Sequence, residues 1–254
     1  HVLRPALVRQ AHRLVRLTGP GAGSVGEAVA VVGPLCTGLD VLSGSAPIGE
    51  VRAGIIHHTV NANEYTREEA AGIVLGICRF HVNGNGWNDI GYNALVDRYG
   101  TLYEGRAGGL KKPIVGAQAQ GFNSVTTSIA SIGDYTTELI TPEATRSIIH
   151  YLAWRMAAIR AFPVRAYPVT GTVQLTSAGG SQSRYPAGAV VTVPRIVGHL
   201  TLGLTTCPGT IDPQIPAIRT AVQKRIKRYL KPRKKKGKKK RAAAGRAASA
   251  SPHG

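Results

Sequence analysis

The alternation of apolar and polar residues becomes regular from residue 51 onward. The apolar run in RAGIIHHT (52–59) predicts a buried strand that ends with His57 and His58. Because neighbouring side chains in a strand point to opposite faces, only one of these two histidines can face a given pocket. The end of this strand is therefore the first candidate for a functional site.

Three segments have the apolar spacing of helices. In TREEAAGIVLGICRFH (66–81), Thr66 and Glu69 form the pattern of a capping box at the helix start. Segment 141–162 begins with a threonine at the N-cap position and a proline at the first helical position, which favours helix initiation. Segment 213–230 is predicted to form an amphipathic helix with a basic outer face.

The other regular segments predict strands. Segment 91–106 alternates on both sides of Gly100 and predicts a β-hairpin, and 128–135 predicts a further strand. Segment 167–199 has the pattern of an extra hairpin that leads into a core strand. The order strand, helix, three strands, helix, strand, helix predicts an α/β fold in which helices flank a central mixed β-sheet.

Residues outside these segments suggest how the chain is divided. Residues 1–50 are predicted to form an N-terminal extension, with a short helix at the basic patch RQAHRLVR (9–16) and loosely organised chain after it. Residues 51–230 are predicted to form one domain, with the hairpin insert at about 163–196. Residues 231–254 are predicted to form a disordered basic tail.

The positive charge is concentrated at the end of the chain. The net charge is +19, but 15 of the 32 Lys and Arg residues follow residue 212, which leaves 32 − 15 = 17 basic residues against 13 acidic ones before it. The segment 231–241 either is simply solvated or binds a polyanion. Nucleic acid would be bound only weakly and without sequence preference, because Tyr229 is the one aromatic residue near this segment.

The three cysteines are too few for a disulfide scaffold. A single bridge between Cys36 and Cys78 is compatible with the sequence. Cys207 stands apart in the motif TTCPG. No stretch reaches the 18 or more apolar residues that are typical of a membrane helix.

Histidines and the third cysteine are candidates for metal binding. His57 or His58 together with His199 and Cys207 would give two imidazoles and a thiolate, which is a known donor set for catalytic zinc. Spacing alone leaves two other interpretations open. The histidines can be structural residues, or Cys207 can be the nucleophile of a thiol hydrolase with a histidine as its base.

Four motifs in a fixed order narrow these interpretations. IIHHTVN, NDIGYNALVDRYGTLYEGR, GFNSVTTSIASIGDY and GH-x7-CPG follow one another along the chain. Together they resemble the type-2 N-acetylmuramoyl-L-alanine amidases and the related peptidoglycan recognition proteins. The likeness extends over residues 51–230, and the Thr/Val-rich insert is similar to that of secreted bacterial members.

The resemblance implies roles for individual residues. It implies that His57, His199 and Cys207 are the zinc ligands. It places Tyr92 and Thr205 beside the metal as catalytic hydrogen-bond donors. It also implies a substrate groove along the same face, formed by His58, Asn93, Glu104, Arg106 and Asn123.

The sequence departs from the family pattern at three places. Leu200 and Thr201 follow the histidine of the GH motif, where Asp or a similar polar residue is common in the family. Gln118 stands where relatives commonly have histidine, and the R-x-x-W-G pattern is missing before Val51. None of these departures removes a predicted zinc ligand.

The resemblance implies zinc-dependent hydrolysis of the amide bond between N-acetylmuramic acid and L-alanine in peptidoglycan. It also implies a secreted or wall-located monomer. The charge of the basic tail predicts that it binds wall polyanions or an anionic membrane surface. A recognition protein that binds peptidoglycan without cleaving it is the main alternative, because family members that lack a zinc ligand do not catalyse. The complete set of ligand residues in this chain favours the enzyme.

Overall fold

A computed structural model of the protein describes residues 12–15, 29–32, 49–107, 110, 112–158, 163 and 165–230. The predicted tail and Cys36 lie outside the described residues. The boundaries of the extension, the domain and the insert stay predictions.

A seven-stranded mixed sheet forms the centre of the described protein. Its strands are β1 (His12–Val15), β2 (Val29–Val32), β3 (Ala53–His58), β4 (Ala94–Val96), β5 (Leu102–Glu104), β6 (Thr126–Ser131) and β9 (Ile196–Gly198). Their order across the sheet is β1-β2-β5-β4-β6-β3-β9. β3 pairs in parallel with β6 on one side and with the edge strand β9 on the other, so it is an interior strand of the sheet. This mixed sheet confirms the predicted fold class.

In the part of the chain that the structure describes, three α-helices cover the sheet. They are α1 (Ala70–Arg79), α2 (Pro142–Ala157) and α3 (Ile215–Tyr229). Helices α2 and α3 share one core cluster with the sheet, whereas α1 contributes to a second cluster. Among the residues that the structure describes, none of the helices has both the length and the apolar content needed to cross a membrane.

Hydrogen bonds at the helix ends agree with the sequence signals that predicted these elements. The Thr141 side chain accepts a hydrogen bond from the Ala144 amide at 3.2 Å and caps α2. Thr66 and Glu69 form the reciprocal capping box, and α1 begins one residue after it. Strands β4 and β5 are antiparallel around Gly100, whose φ of 84° favours glycine, so the predicted hairpin is confirmed.

The two faces of β3 have different neighbours. Ile55 belongs to a core cluster with the hairpin insert, whereas Ile56 packs with the cluster of α2 and α3. Because side chains alternate along a strand, His57 continues the face of Ile55 and His58 the face of Ile56. The two adjacent histidines are therefore directed to different surroundings.

The insert forms a separate two-stranded antiparallel sheet, as predicted. Its strands are β7 (Thr172–Thr176) and β8 (Val190–Pro194). Val173, Leu175 and Val193 bury their side chains against β3 and β9, and the alternating residues of β7 are exposed. The chain passes directly from β8 into core strand β9, which ends one residue before His199.

The N-terminal prediction was wrong in one respect. A helix was predicted over 9–16, but His12–Val15 forms strand β1, antiparallel to β2 (Val29–Val32). The segment 9–16 is too short to show helical periodicity, and a local pattern does not contain the pairing of β1 with β2. Strand β2 then joins the main sheet through parallel pairing with β5.

Candidate metal centre and substrate cavity

The end of β3 brings together two histidines and a cysteine that are far apart in sequence. The candidate donor atoms of His57, His199 and Cys207 all lie within 4.8 Å of one another. The Cys207 Sγ atom is 3.7 Å from His57 Nδ1, and the ring centroids of His57 and His199 are 4.5 Å apart. These are the three residues that the sequence motifs predicted as zinc ligands.

Backbone structure positions the three donors. His57 is fixed by strand β3, and His199 begins the short 3₁₀ turn that follows β9. The Leu200 amide donates to the Cys207 carbonyl at 2.7 Å, and this bond holds the chain segments of His199 and Cys207 side by side. Gly203 leaves room for the His199 ring, because a Cβ atom there would lie 2.6 Å from His199 Nε2.

The cluster fits a zinc ion by its donor set and by its geometry. Two imidazoles and a thiol are a donor set that zinc accepts, with a fourth position left for water. Tetrahedral zinc with ordinary bond lengths separates a sulfur and a nitrogen ligand by roughly 3.6 Å. The observed distance of 3.7 Å from Cys207 Sγ to His57 Nδ1 agrees with this value. The other ring nitrogen, His57 Nε2, is buried without a hydrogen-bond partner in the described part of the protein.

The electrostatics keep the histidines neutral and so able to bind a metal. Burial, followed by the charges of His199 and His58, holds the pKa of His57 well below its ordinary value. Burial and the nearby His58 lower the pKa of His199 to about 4. A neutral imidazole has a free lone pair, which is the form that ligates metals.

Burial shifts the pKa of the Cys207 thiol upward, whereas it lowers the pKa of the two histidines. Burial raises its pKa to about 12, although the hydrogen bond from the His58 amide, at 3.4 Å, favours the thiolate. A thiol hydrolase needs a thiolate and a protonated histidine beside it, and the pKa shifts of Cys207 and His57 both oppose that pair. A bound metal deprotonates a coordinating thiol directly. The site therefore suits a metal ligand better than a nucleophile.

His58 has a different environment from His57. Its Nδ1 accepts a hydrogen bond from the Tyr135 amide at 3.0 Å and lies 3.8 Å from Asp134 Oδ1. Its backbone amide donates to the sulfur of Cys207. His58 thus holds the Cys207 sulfur through its backbone amide, while its side chain contacts the loop after β6.

The two predicted hydrogen-bond donors lie next to the cluster. The half-buried ring of Tyr92 is 5.2 Å from the ring of His57, centroid to centroid. Burial and the nearby Cys207 raise the pKa of Tyr92, so its hydroxyl keeps its proton. The Thr205 oxygen accepts from the Cys207 amide at 3.1 Å, which leaves the hydroxyl hydrogen available to another acceptor.

A cavity of about 400 Å³ opens at this cluster. Besides the three donors, its lining consists of the last residue of β3 and residues from five connecting segments, which include both predicted hydrogen-bond donors: His58, Thr59, Val60, His81, Trp87, Gly91, Tyr92, Ala117, Gln118, Thr136, Thr205 and Thr206. A pocket that combines an apolar wall with a few convergent polar groups is typical of a small-molecule site.

The other predicted substrate contacts lie outside this lining. Asn93 is buried and bridges β4 to Ile114 and Ser128, and Arg106 donates to the carbonyls of Ile90 and Val115. The Asn123 side chain accepts from the amides of Gln118 and Ala119, which shapes the loop that carries Gln118. 

Glu104 ends β5 and is also absent from the cavity lining. The part of Asn93, Arg106, Asn123 and Glu104 in substrate binding stays a prediction. The contacts just described give the first three a structural role in the loops around the cavity.

The sequence did not indicate the wall formed by His81 and Trp87. Their rings stack at 4.8 Å with an interplanar angle of 30°, and His81 Nδ1 accepts from the Gly91 amide at 3.2 Å. Burial and the charge of Arg106 lower the pKa of His81 to about 4. His81 was predicted only as the end of a helix, and it lies instead in a π-helical turn after α1. The tryptophan of the Gly86–Trp87 pair was the one sequence feature that could have indicated an aromatic wall.

Gln118 carries an unsatisfied acceptor on the cavity wall. The Thr126 hydroxyl donates to the Phe122 carbonyl, so it can only accept from Gln118, which fixes the Gln118 Nε2 group toward Thr126. The buried Oε1 atom of Gln118 has no hydrogen-bond partner. A ligand with an N–H or O–H group would satisfy it.

The fold and this centre define an α/β domain with a candidate metal site at the end of its interior strand β3. The family model described as N-acetylmuramoyl-L-alanine amidase matches residues 47–210. The match covers more than half of the chain, so the protein belongs to the N-acetylmuramoyl-L-alanine amidase family.

Individual relatives agree with this assignment. Peptidoglycan-recognition protein SC2 of Drosophila melanogaster is 31% identical over 159 residues, which are 61% of this chain and 67% of that protein. The N-acetylmuramoyl-L-alanine amidase of Homo sapiens is 32% identical over 183 residues, which are 70% of this chain and 28% of that protein. 

A solved structure of peptidoglycan recognition protein-LE in complex with tracheal cytotoxin has a similar fold. Its TM-score is 0.51 at 24% identity, over 69% of this chain and 85% of that chain.

Proposed function

We propose that the protein is a zinc-dependent N-acetylmuramoyl-L-alanine amidase, which hydrolyses the amide bond between N-acetylmuramic acid and L-alanine in peptidoglycan. The observation that carries the proposal is the convergence of His57, His199 and Cys207 at the base of a cavity that also contains Tyr92. A protein that only recognises peptidoglycan has no need of a complete donor set beside a hydrogen-bond donor.

Each residue of the site has its own role in the proposed reaction. His57, His199 and Cys207 would hold the zinc ion, which when bound polarises the amide carbonyl and lowers the pKa of a water molecule toward roughly 7. Tyr92 donates its hydroxyl hydrogen to the carbonyl oxygen as negative charge develops there. Thr205 offers a second hydroxyl donor beside Cys207. Its oxygen already accepts from the Cys207 amide, so its hydrogen is available to the substrate.

The cavity wall orients the substrate around these groups. The stacked rings of His81 and Trp87 offer an apolar surface. The Oε1 atom of Gln118 accepts a hydrogen bond from an N–H or O–H group of the substrate, which removes the cost of a buried unpaired acceptor. Peptidoglycan stem peptides and acetamido groups carry such donors.

The proposal is tested by digestion of purified peptidoglycan. We expect the protein to release peptides with a free N-terminal L-alanine and glycan strands without peptides, both identified by mass. Chelation of zinc should stop the release, and added zinc should restore it. Binding of peptidoglycan without any cleavage, in protein shown to contain zinc, would contradict the amidase and assign a recognition role.

We also propose that the protein acts outside the cytoplasm as a monomer and that its basic C-terminal end binds polyanions of the wall or an anionic membrane. Helix α3 exposes Lys224, Lys227 and Arg228, and nine of the eleven residues in 231–241 are Lys or Arg. The 15-residue helix α3, which extends over about 22 Å, directly precedes this basic segment in the sequence.

A truncation after Leu230 is expected to keep full activity on soluble muropeptides but to bind whole sacculi less and with little dependence on salt. The reason is that clustered Lys and Arg residues give an attraction that salt screens, worth about 1 kcal/mol per residue near an anionic lipid surface. Sedimentation with sacculi over a salt series measures the effect. 

The matched control replaces the Lys and Arg residues of 231–241 by Gln, which keeps the length of the chain. It should behave like the truncation. Salt-sensitive binding that persists in either variant would exclude the tail as the anchor.

A further inference from the structure

Val60 has a backbone conformation that is unfavourable for its residue type. Its φ angle is 59°, in the left-handed region, and it is the one non-glycine residue with positive φ in the described part of the chain. A β-branched side chain is strained there, whereas glycine is not. The residue follows the end of β3 and lines the cavity beside the candidate metal centre.

The surrounding backbone holds Val60 in this conformation. Its amide donates to the Gly133 carbonyl at 2.9 Å, and the Thr59 amide donates to the Ser131 carbonyl at 3.1 Å. The Thr59 hydroxyl also accepts from the Gly133 amide at 3.1 Å. The turn after β3 is thus fastened to the loop after β6, and the strain of Val60 is balanced by these bonds.

The Val60 side chain gains little from the protein itself. It is 63% exposed, although valine is a residue that proteins usually bury. A glycine would fit the backbone without strain, so packing within the protein does not explain why valine occupies this position. An isopropyl group held at the edge of the cavity can instead contribute an apolar contact to a bound molecule.

We infer that Val60 is a specificity-determining residue that contacts a methyl group next to the scissile amide. This inference rests on the proposed function, because that substrate carries two such methyl groups, on the lactyl ether and on the L-alanine. A contact with either one would favour substrates that have the methyl group over analogues that lack it. One methyl group in an apolar contact changes kcat/KM by roughly tenfold or more.

The test compares three soluble substrates with wild-type protein and the Val60→Gly variant. They are N-acetylmuramoyl-L-alanyl-D-isoglutamine, its glycyl analogue and its analogue without the lactyl methyl group. We expect the wild-type protein to prefer the parent compound by about tenfold over one of the analogues. In the Val60→Gly variant this preference should fall to about twofold or less. If both ratios stay as in the wild type, the inference is wrong.

Val190→Gly is the matched control, because Val190 is 62% exposed on β8 and lies outside the cavity lining. It should keep the wild-type substrate ratios. It should also lower the midpoint of thermal unfolding by roughly 2–4 °C, since glycine weakens a strand. Val60→Gly should not lower the midpoint, because glycine relieves the strain. An equal decrease in both variants would contradict the strain at Val60.

The outcome remains interpretable if the proposed function fails. If the wild-type protein hydrolyses none of the three compounds, the dissociation constant of each compound is measured by titration instead, and the digestion of purified peptidoglycan decides on the amidase proposal. A preference for the methyl-bearing compound that Val60→Gly abolishes supports the contact in either case. Equal dissociation constants for all three compounds in the wild type overturn it.

Discussion

A His57→Gln variant is expected to lose its zinc and its amidase activity, whereas a His58→Gln variant should keep the metal. The two residues are adjacent in the same buried strand but are directed to different faces. The His57 ring lies against His199 and the sulfur of Cys207, and the His58 ring is hydrogen-bonded to the Tyr135 amide. Glutamine preserves the size and polarity of histidine but does not replace an imidazole as a zinc ligand.

Metal analysis of the purified variants measures the difference. We expect about one zinc per molecule in the wild type and in His58→Gln, and a small fraction of that in His57→Gln. Activity of His57→Gln on soluble muropeptides should fall by at least about 10³-fold, since polarisation of the carbonyl and activation of water both depend on the metal. 

The neighbouring substitution controls for damage to the strand, because both histidines are buried in β3. Circular dichroism should show that both variants are folded. Zinc retained in His57→Gln but lost from His58→Gln would reverse the assignment of the ligand.

The elements with local sequence signals were predicted well. The capping box before α1, the N-cap Thr141 and the hairpin around Gly100 depend on interactions between residues a few positions apart. The boundaries were less accurate: segment 128–135 was predicted as a strand, but β6 is Thr126–Ser131. A strand end is set by pairing with distant strands, which a local pattern does not contain.

The candidate site was predictable only in part. Alternation along β3 predicted that only one of the two histidines faces a given pocket, but both line the cavity, and the residue patterns alone did not choose the metal ligand between them. The resemblance to a family made that choice, and the convergence of His57, His199 and Cys207 agrees with it. The ligands His199 and Cys207 come from a turn and a loop, where no periodic signal exists.

Residues that line the cavity from other loops had no signal in the sequence. His81 lies in a π-helical turn that continues α1, and its position depends on stacking with Trp87 and on the Gly91 amide. The positive φ of Val60 arises from hydrogen bonds to the loop after β6, about seventy residues later in the sequence. Such features follow from tertiary contacts and not from local preference.

Tyr92 is expected to be essential for turnover but not for the metal centre. Its ring packs 5.2 Å from the His57 ring and 5.6 Å from the His81 ring, contacts that phenylalanine would keep. Its hydroxyl remains protonated, because burial and the nearby Cys207 raise its pKa. A neutral, fixed donor costs no reorganisation when the carbonyl oxygen becomes negative, so its contribution is made mainly in the transition state.

The Tyr92→Phe variant should therefore bind about one zinc per molecule and lose roughly 10²–10³-fold in kcat, with little change in KM. Steady-state kinetics on a soluble muropeptide and metal analysis of the same preparation measure both quantities. Tyr185→Phe is the matched control, since Tyr185 packs edge-on against Phe122 beside the insert and outside the cavity lining. It should keep wild-type kcat. If Tyr92→Phe also kept wild-type kcat, the Tyr92 hydroxyl would have no part in the reaction, and Thr205 would be left as the proposed donor to the oxyanion.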